Sequence, residues 1–334
     1  CWNIFIFHLI NNNNIMKNFY LNIFPFNKKI LGKIVILLKK NKIIGLPTET
    51  VYGLAGNAYS KSSINKIYKL KKRPKYNPLI IHYFDLNRAL KDIEINSNFK
   101  KIYKKFGPGP ITYILKRKIN SKIVSNASAN LKTIAVRFPK HKNLRSILKK
   151  LNFPLAMPSA NISSKVSPVK ATDVYDEFKD KLKIIIDGGK SKIGIESTVI
   201  DLTRDPKLLR PGIISHLKIQ KILKEKIKTN LKISKINSPG LQKKHYSPGI
   251  PVLINQKKPV KNSAFIYLGN KYTNRKNFFS LSKKSNLREA ASNLYMLFRK
   301  IKKMGFKKIQ IQRIPKKGPG LAINDRIKKA AYNK

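Results

Sequence analysis

The stretch GLPTETVYGL, Gly45 to Leu54, most constrains the fold. It lies in an eighteen-residue run without Lys or Arg, Ile43 to Ser60, although 72 of the 334 residues are basic. Pro47 cannot donate to a central sheet ladder, and Gly45 and Gly53 permit backbone conformations that other residues resist. We therefore interpret the stretch as a strand end that turns into a polar loop. Taken alone, it fits either a binding loop or a strand closed by an ordinary polar turn.

The formal net charge of +57 is typical of proteins that bind nucleic acid or another anionic surface. The basic residues are spread over the whole chain, and Lys, Ile and Asn dominate together, as they do when codons drift toward A and T. We therefore interpret the charge mainly as compositional background, with phosphate affinity as a side effect. Runs without Lys or Arg stand out against this background, and we expect each to contribute to one site. Besides Ile43–Ser60, they are Tyr76–Asn87, Leu151–Ser164, Ile193–Thr203 and His245–Gln256.

The length of 334 residues and the hydrophobic content of 42% indicate a globular protein of about two domains. The single cysteine, Cys1, excludes an internal disulfide and a zinc site built on cysteines. No run of eighteen apolar residues occurs, so we predict no membrane span and a cytoplasmic protein. The first residues fit neither a span nor a signal peptide. We expect residues 1–25 to be an unstructured or mis-started extension.

The segment KKRPKYNPLIIH, Lys71 to His82, predicts an anion-binding turn followed by a buried strand. Lys71 and Arg73 can converge on one phosphate where a helix unwinds before a proline, since Arg offers a planar fork and Lys a compact charge. In so basic a chain, the pair alone is a weak signal. Asn77 leads into the strand, and His82 at its end fits either a ligand contact or a satisfied histidine of the core.

Two later segments add polar groups to the candidate site. TIAVRF, Thr133 to Phe138, predicts a strand whose Arg137 needs a carboxylate or phosphate partner in an otherwise apolar run. PSAN, with Ser159 and Asn161, is similar to a nucleophile loop, but the chain has no G-x-S-x-G elbow and no obvious His and Asp in triad order. We therefore favour binding over serine hydrolysis. Together with Ser167, this loop offers hydrogen bonds suited to ribose or phosphate oxygens.

Acidic residues are scarce, with 15 in the whole chain, which makes Glu49, Glu196 and Asp201 conspicuous. Their carboxylates are candidates for contacts to an ammonium group or, indirectly, to Mg²⁺. The alternative is ordinary capping and strand-end hydrogen bonding, which we favour for Asp201.

Seven motifs, in order along the chain, resemble those of the YrdC/Sua5 family of threonylcarbamoyl-AMP synthases. They are GLPTETVYGL, KKRPKYNPLIIH, FGPGPITYILK, IAVRFPKH, PLAMPSANISSKVSP, GIESTVIDL and LLRPG. Each motif is weak by itself, but seven in register over 168 residues, Gly45 to Gly212, make a specific match. SPGLQKKHYSPGIPV and GPGLAINDRIKKAA resemble the linker and the end of the second domain of the long, Sua5-type members. The resemblance thus runs from about Lys28 to the C-terminus.

This resemblance implies an α/β fold, with a YrdC-like twisted, open, mixed sheet flanked by helices and a smaller, Rossmann-like second domain. It places the catalytic domain at 26–217, a linker at 218–250 and the second domain at 251–334. The linker would act as a lid over the nucleotide, and the alternative is an ordinary Pro-Gly linker. The implied reaction converts L-threonine, bicarbonate and ATP into threonylcarbamoyl-AMP and pyrophosphate, for the t6A modification next to the tRNA anticodon. The expected partners are the downstream t6A transferase machinery and weakly bound tRNA. Mg²⁺ is expected to enter with ATP, without a dedicated cluster of protein ligands.

The resemblance also assigns roles to residues at matching positions. L-Threonine would be held by Thr50, His82, Arg137, the Met157 backbone and Ser197, with Arg137 on its carboxylate. ATP would be held by Arg73, Asn77, Thr133, Ser159, Ser167, Arg210 and Tyr246, the last of which would close over the nucleotide from the linker. The catalytic group would be Lys71, Arg73, Ser159 and Asn161. Lys71 and Arg73 would carry phosphate charge as pyrophosphate leaves, although Lys72 leaves open which lysine reaches the phosphate.

Two other functions remain open. A non-catalytic protein of the same fold that binds double-stranded RNA or tRNA would show tight, salt-dependent tRNA binding without turnover. A carbamoyl-transfer relative that matures hydrogenases normally carries Cys-rich zinc fingers, which one cysteine cannot form. The second domain shows no catalytic constellation of its own, so we predict a regulatory or lid-supporting role for it.

Overall fold

The computed structural model describes residues 22–229, 245–258, 260, 262–272 and 276–332. They form a large mixed sheet and a smaller parallel sheet, each covered by helices. The predicted α/β class with two unequal domains is confirmed. No helix in these ranges is both long enough and apolar enough to cross a membrane.

The large sheet has ten strands among the described residues. They are β1 Ile23–Pro25, β2 Ile44–Leu46, β3 Gly53–Asn57, β4 Ile80–His82, β5 Ile111–Lys116, β6 Thr133–Arg137, β7 Leu155–Ala156, β8 Ile185–Asp187, β9 Thr198–Asp201 and β10 Lys207–Arg210. Their order across the sheet is β1-β8-β2-β3-β7-β4-β6-β5-β9-β10. The central strands β4 and β6 run parallel, with His82 opposite Arg137. These two residues, both predicted to bind threonine, therefore lie side by side at the C-terminal ends of neighbouring strands.

Seven helices in the described ranges pack around this sheet. They are α1 Lys28–Lys39, α2 Lys61–Lys71, α3 Leu86–Ala89, α4 Ser97–Phe106, α5 Lys142–Lys150, α6 Ala171–Phe178 and α7 His216–Leu223. In α1, Ile30, Ile34 and Leu38 are buried, as a helical period requires. The Ser60 side chain accepts a hydrogen bond from the Ser63 backbone N–H and so caps the start of α2.

Strand β1 corrects the predicted start of the first domain. Ile23 and Phe24 pair in parallel with Ile185 and Ile186 of β8, so the expectation of an unstructured segment through residue 25 is wrong for this strand. Without β1, β8 would be the edge strand, with unpaired backbone N–H and C=O groups. β1 pairs with those groups. Three strand residues are too few to give a clear periodic signal in the sequence. Residues 1–21 lie outside the described residues.

The second domain contains the parallel sheet, in the order β11-β14-β12-β13. Its strands are β11 Val252–Leu253, β12 Ala264–Tyr267, β13 Phe278–Ser280 and β14 Ile309–Ile311. Its helices are α8 Leu287–Lys303 and α9 Pro319–Ala330. Of the expected linker, 218–250, residues 230–244 lie outside the described ranges.

The two domains share one hydrophobic cluster. Val166 and Ile195 of the first domain pack with Leu294 and Tyr295 of α8. Gly194 permits this close approach, since a Cβ there would lie 2.5 Å from the Ser292 Cα, and its φ of +75° suits glycine. The second domain therefore rests on the GIESTVIDL segment.

Candidate active site

A cleft beside the ends of β4 and β6 brings together many of the predicted site residues. It is lined by Thr48, Thr50, Val51, Tyr52, Gly53, Arg73, Pro78, Ile80, His82, Arg137, Met157, Pro158, Ser159, Glu196, Ser197, Arg210 and His245. All of these except the three arginines come from the five runs without Lys or Arg. Those runs therefore converge on one site, as expected.

The cleft is nearly closed in this conformation. The space that it encloses is about 50 Å³, well below the roughly 300–1,000 Å³ of typical ligand pockets. Binding of a nucleotide would therefore require its walls to separate.

Arg137 has the acidic partner that its buried position demands. Its Nη2 donates to Oε1 of Glu49 at 2.7 Å, and its Nη1 donates to Oγ1 of Thr50 at 2.8 Å. Burial alone would raise the pKa of Glu49, but the adjacent Arg137 lowers that pKa below its ordinary value. Nε of Arg137 and Oε2 of Glu49 are buried without a hydrogen-bond partner in the described part of the chain. Such orphaned atoms are rare in folded proteins.

The loop in GLPTETVYGL is both an ordinary polar turn and part of the cleft wall. Oγ1 of Thr48 donates to the Val51 carbonyl at 2.6 Å and accepts from the backbone N–H of Thr50 at 3.1 Å, which closes an ordinary polar turn. The side chain of Thr50 instead bridges Thr48 and Arg137. One threonine shapes the loop, and the other is held at the charged centre of the cleft.

His82 is buried, yet it lines the cleft. Its Nδ1 lies 3.2 Å from the Ile80 carbonyl oxygen. Burial, with a further contribution from Arg137, lowers the pKa of His82 to about 3. The imidazole is therefore neutral near pH 7 and adds no charge beside Arg137.

The structure distinguishes the two adjacent lysines that end α2. Lys71 is buried, and its Nζ donates to the carbonyl oxygens of Ser159 and Asn161. Lys72 is exposed and adopts a left-handed conformation as the helix C-cap. Burial, then the nearby charge of Arg73, lowers the pKa of Lys71 well below its ordinary value. Lys71 is thus the lysine that contacts the PSAN loop.

Arg73 lines the cleft in an orientation set by Asn77. Its Nε donates to the Asn77 carbonyl at 3.0 Å, and its Nη2 donates to the Pro78 carbonyl at 2.8 Å and to the Asn77 side chain. Burial is the main cause that lowers the pKa of Arg73, to about 10. Asn77 itself does not line the cleft, so its contact in this structure is to Arg73.

Arg210 and Ser197 form a further part of the cleft wall. Nε and Nη2 of Arg210 each donate to Ser197, at its carbonyl and hydroxyl oxygens, both at 3.1 Å. Ser197 Oγ also lies 2.7 Å from Oγ1 of Thr112. Gly212 lets the LLRPG turn lie against β9, since a Cβ there would be 2.3 Å from the Thr198 nitrogen.

The conspicuous acids have distinct environments. Glu196 accepts hydrogen bonds from Ser167 at 2.6 Å and from Arg326 at 3.0 Å. Burial alone would raise its pKa, but Arg326 and Arg210 outweigh burial and lower the pKa to about 2. Asp201 accepts from the backbone and hydroxyl of Thr203 at 2.9 and 2.7 Å, which confirms the strand-end role favoured for it.

Six predicted site residues do not line the cleft. They are Lys71, Asn77, Thr133, Asn161, Ser167 and Tyr246. Lys71 and Asn161 lie directly behind the Ser159 wall, where the Asn161 Nδ2 donates to the carbonyls of Ile162 and Lys165 at 2.8 and 2.9 Å. Thr133 begins β6 at the end opposite Arg137, paired with Lys116.

The linker contributes His245 to the cleft wall, a residue that sequence reasoning missed. Tyr246 beside it is fully buried and stacks on Tyr295, with ring centroids 5.7 Å apart. Its hydroxyl and Nδ1 of His245 are buried without a hydrogen-bond partner among the described residues. The sequence feature that could have identified His245 is its position at the start of the last run without Lys or Arg.

A larger groove, of about 720 Å³, lies between α1, α2 and α6, with Leu37, Ile43, Leu70 and Phe178 among its lining residues. It contains none of the residues predicted for the site. Seven of its fourteen lining residues are charged, six lysines and Glu177, and the rest are apolar.

Comparison with known proteins matches both domains. The family model Sua5_yciO_yrdC, described as "Telomere recombination", matches residues 36–212. The model described as "Threonylcarbamoyl-AMP synthase, C-terminal domain" matches residues 214–332.

Curated relatives extend over most of the chain. The threonylcarbamoyl-AMP synthase of Pyrococcus abyssi is 33% identical over 317 residues, covering 88% of this chain and 92% of the relative. The threonylcarbamoyl-AMP synthase of Bacillus subtilis is 33% identical over 327 residues, covering 91% and 94%. The crystal structure of P. abyssi Sua5 complexed with L-threonine superposes with a TM-score of 0.85 at 31% identity, covering 92% of this chain and 97% of that one.

Proposed function

This chain belongs to the threonylcarbamoyl-AMP synthase family, and we propose that its cleft converts L-threonine, bicarbonate and ATP into threonylcarbamoyl-AMP and pyrophosphate. One observation carries the assignment of the site. The five residues expected to hold L-threonine, from four separate runs and β6, all line the cleft, together with Arg73, Ser159 and Arg210 of the expected ATP set.

The orphaned atoms beside Arg137 suit a small zwitterion. We assign Nε of Arg137 to the carboxylate of L-threonine, because it is a buried charged donor without a partner in the described ranges. Oε2 of Glu49 is a matching acceptor for the ammonium group. His82, neutral because its pKa is lowered to about 3, packs near these charges without repelling the ammonium. The site thus offers a positively charged donor for the carboxylate of a zwitterion and a negatively charged acceptor for its ammonium group.

The nucleotide would lie along the wall that carries Arg73, Ser159 and Arg210. Two arginines stabilise the negative charge of phosphates, and the developing charge on pyrophosphate requires preorganised cations. Lys71 does not line the cleft. Its Nζ donates to the Ser159 and Asn161 carbonyls of the PSAN loop. A modest shift of that loop would release its ammonium group toward a phosphate.

We propose that Mg²⁺ enters coordinated to the phosphates of ATP and neutralises part of their charge. Within the described ranges, no group of three or more His, Cys, Asp or Glu side chains could hold a metal ion. The nearest carboxylates, Glu49 and Glu196, are engaged by Arg137 and Arg326. These residues therefore fit a metal that binds through the nucleotide.

The enclosed cleft also suits an unstable intermediate. Carbamates lose CO2 or hydrolyse in water, so a site that excludes water protects the reaction.

We extend the proposal to t6A formation, in which transferase machinery consumes the product. A cytoplasmic location and weak tRNA binding stay predictions. The named relatives support the synthase and not the non-catalytic RNA-binding alternative.

The test is pyrophosphate release from ATP by the purified chain, with L-threonine and bicarbonate added separately and together. Release that requires both, with threonylcarbamoyl-AMP detected by mass spectrometry, is the expected result. L-Valine, an isostere that lacks the hydroxyl, is the control substrate and should support little release. Release without threonine, or none at all, would contradict the proposal.

A further inference from the structure

We propose that Arg326, in α9 of the second domain, is a positioning residue that aligns three segments of the cleft wall. Its side chain is fully buried between the domains. The kinetic part of the test rests on the proposed function, whereas the structural part does not.

Arg326 contacts residues far away in the chain. Its Nε donates to Oε2 of Glu196 at 3.0 Å, and its Nη1 donates to the Pro211 carbonyl at 2.6 Å. Its guanidinium carbon lies 5.3 Å from the ring centre of Tyr246, within cation–π range. Asp325, its neighbour in α9, accepts a further bond from Nη1 at 2.9 Å.

Each of these three partners is adjacent in sequence to a residue of the cleft wall. Glu196, which itself lines the cleft, precedes Ser197; Pro211 follows Arg210; and Tyr246 follows His245. A single guanidinium thus connects three segments, two of which are also joined by the pairing of β9 with β10. Without this guanidinium, the β9–β10 pairing and the Arg210–Ser197 hydrogen bonds would still join two of the segments, but the contacts that align all three with one another would be lost.

The chemistry of arginine is required for this arrangement. Its planar fork presents several donors in fixed directions, whereas a lysine offers one compact charge on a flexible stem. The ring of Tyr246 can pack on a flat cation while the edge of that cation donates to Glu196 and Pro211. A lysine could preserve the charge opposite Glu196 but could not hold all three partners.

Another arginine of the same domain provides a matched comparison. Arg299, in α8, also reaches the first domain, where its Nη2 donates to the Val166 carbonyl at 2.6 Å and to Glu177 at 3.3 Å. Neither Val166 nor Glu177 lines the cleft. Val166 also donates its backbone N–H to the Ser247 carbonyl at 3.2 Å, a bond that does not involve the guanidinium of Arg299. Removal of Arg299 should therefore weaken the domain interface and leave the contacts of Arg326 in place.

The experiment compares Arg326→Met, Arg326→Lys and Arg299→Met in the full chain by backbone amide exchange and steady-state kinetics. In Arg326→Met we expect faster exchange at residues 194–198, 208–212 and 245–250 together. We also expect the KM for L-threonine to rise about tenfold, the scale of a typical coupling between sites. Arg326→Lys should fold more stably than Arg326→Met, yet still show the raised KM.

Arg299→Met should leave the three segments and the KM unchanged. The proposal is overturned if Arg326→Met behaves like Arg299→Met, or if Arg326→Lys restores both exchange and KM, since charge alone would then suffice. If Arg326→Met fails to fold, Arg326→Lys decides by the same two readouts. If the wild-type chain releases no pyrophosphate, the proposed function fails, and amide exchange still decides the positioning role.

Discussion

Nη2 of Arg137 lies 2.7 Å from Oε1 of Glu49, and both side chains are largely buried. The arginine expected to bind the substrate carboxylate is therefore already paired with a carboxylate of the protein. Its Nε is buried without a hydrogen-bond partner within the described residues, so this donor is available to a ligand. The ion pair holds the guanidinium in place before the substrate arrives, which is the geometry expected of a preorganised site.

Arg137→Lys should weaken L-threonine binding by roughly tenfold to a hundredfold, the value of a hydrogen bond to a charged group. The lysine keeps a cation opposite Glu49 but lacks the second and third donors of the fork. Arg137→Ala should lose threonine binding as well, and should also lose about 3–5 kcal/mol of stability, because the buried Glu49 is left unpaired. Calorimetric titration with L-threonine checks both variants, and ATP affinity serves as the control. Unchanged threonine affinity would remove Arg137 from the site.

Lys71→Met and Lys72→Met form a matched pair of adjacent substitutions. Lys71 is buried against the PSAN loop, so its loss should lower kcat by about a hundredfold or more, as for other preorganised charges. Lys72 is exposed, and its loss should change kcat by less than about twofold. Pyrophosphate release measures both variants, with thermal unfolding as the check on folding. Equal effects would show that Lys71 has no special role.

Acid should destabilise the protein through His82. Its pKa in the folded state is lowered to about 3, so below the ordinary histidine pKa of about 6.5 the unfolded chain binds more protons than the folded chain. The stability that His82 contributes is present above about pH 6.5 and is lost as the pH falls toward 3. Between pH 7 and 5 this loss amounts to about 2 kcal/mol.

Urea unfolding at pH 7 and pH 5 tests this dependence. His82→Asn should lose about 2 kcal/mol less than the wild type over this interval. His216→Asn, in the first turn of α7 and away from the cleft, is the control and should follow the wild type. Identical slopes for His82→Asn and the wild type would refute the assigned direction.

Tyr246→Ala should lower turnover roughly tenfold or more, because a small displacement of a site wall has large kinetic effects. The ring stacks on Tyr295 and supports His245 beside it. Tyr246→Phe keeps the ring and removes the hydroxyl, so it should retain most of the turnover. The ratio of threonylcarbamoyl-AMP recovered to pyrophosphate released reports how well the intermediate is protected. Full activity and an unchanged ratio in Tyr246→Ala would exclude the lid role.

Local patterns explain what could be predicted. The strands predicted in TIAVRF and before His82 are present as β6, Thr133–Arg137, and β4, Ile80–His82, because side-chain patterns and flanking turn residues act over a few neighbours. The runs without Lys or Arg identified the cleft for a related reason. In so basic a chain, a wall that closes around charged substrates cannot carry additional unpaired cations.

The sequence by itself determined the family, the fold class and the segments that build the cleft, because each can be recognised from motifs and patterns of a few consecutive residues. Tertiary structure decided which charges meet. Glu49 and Arg137 are 88 residues apart, and Glu196 and Arg326 are 130 apart, so no local pattern could pair them. It also decided that Lys71 is buried while Lys72 is exposed, and that His245 reaches the cleft. The physical reason is that strand order and domain docking bring distant side chains together, and hydrogen bonds and charge pairs act only at the distances that this packing creates.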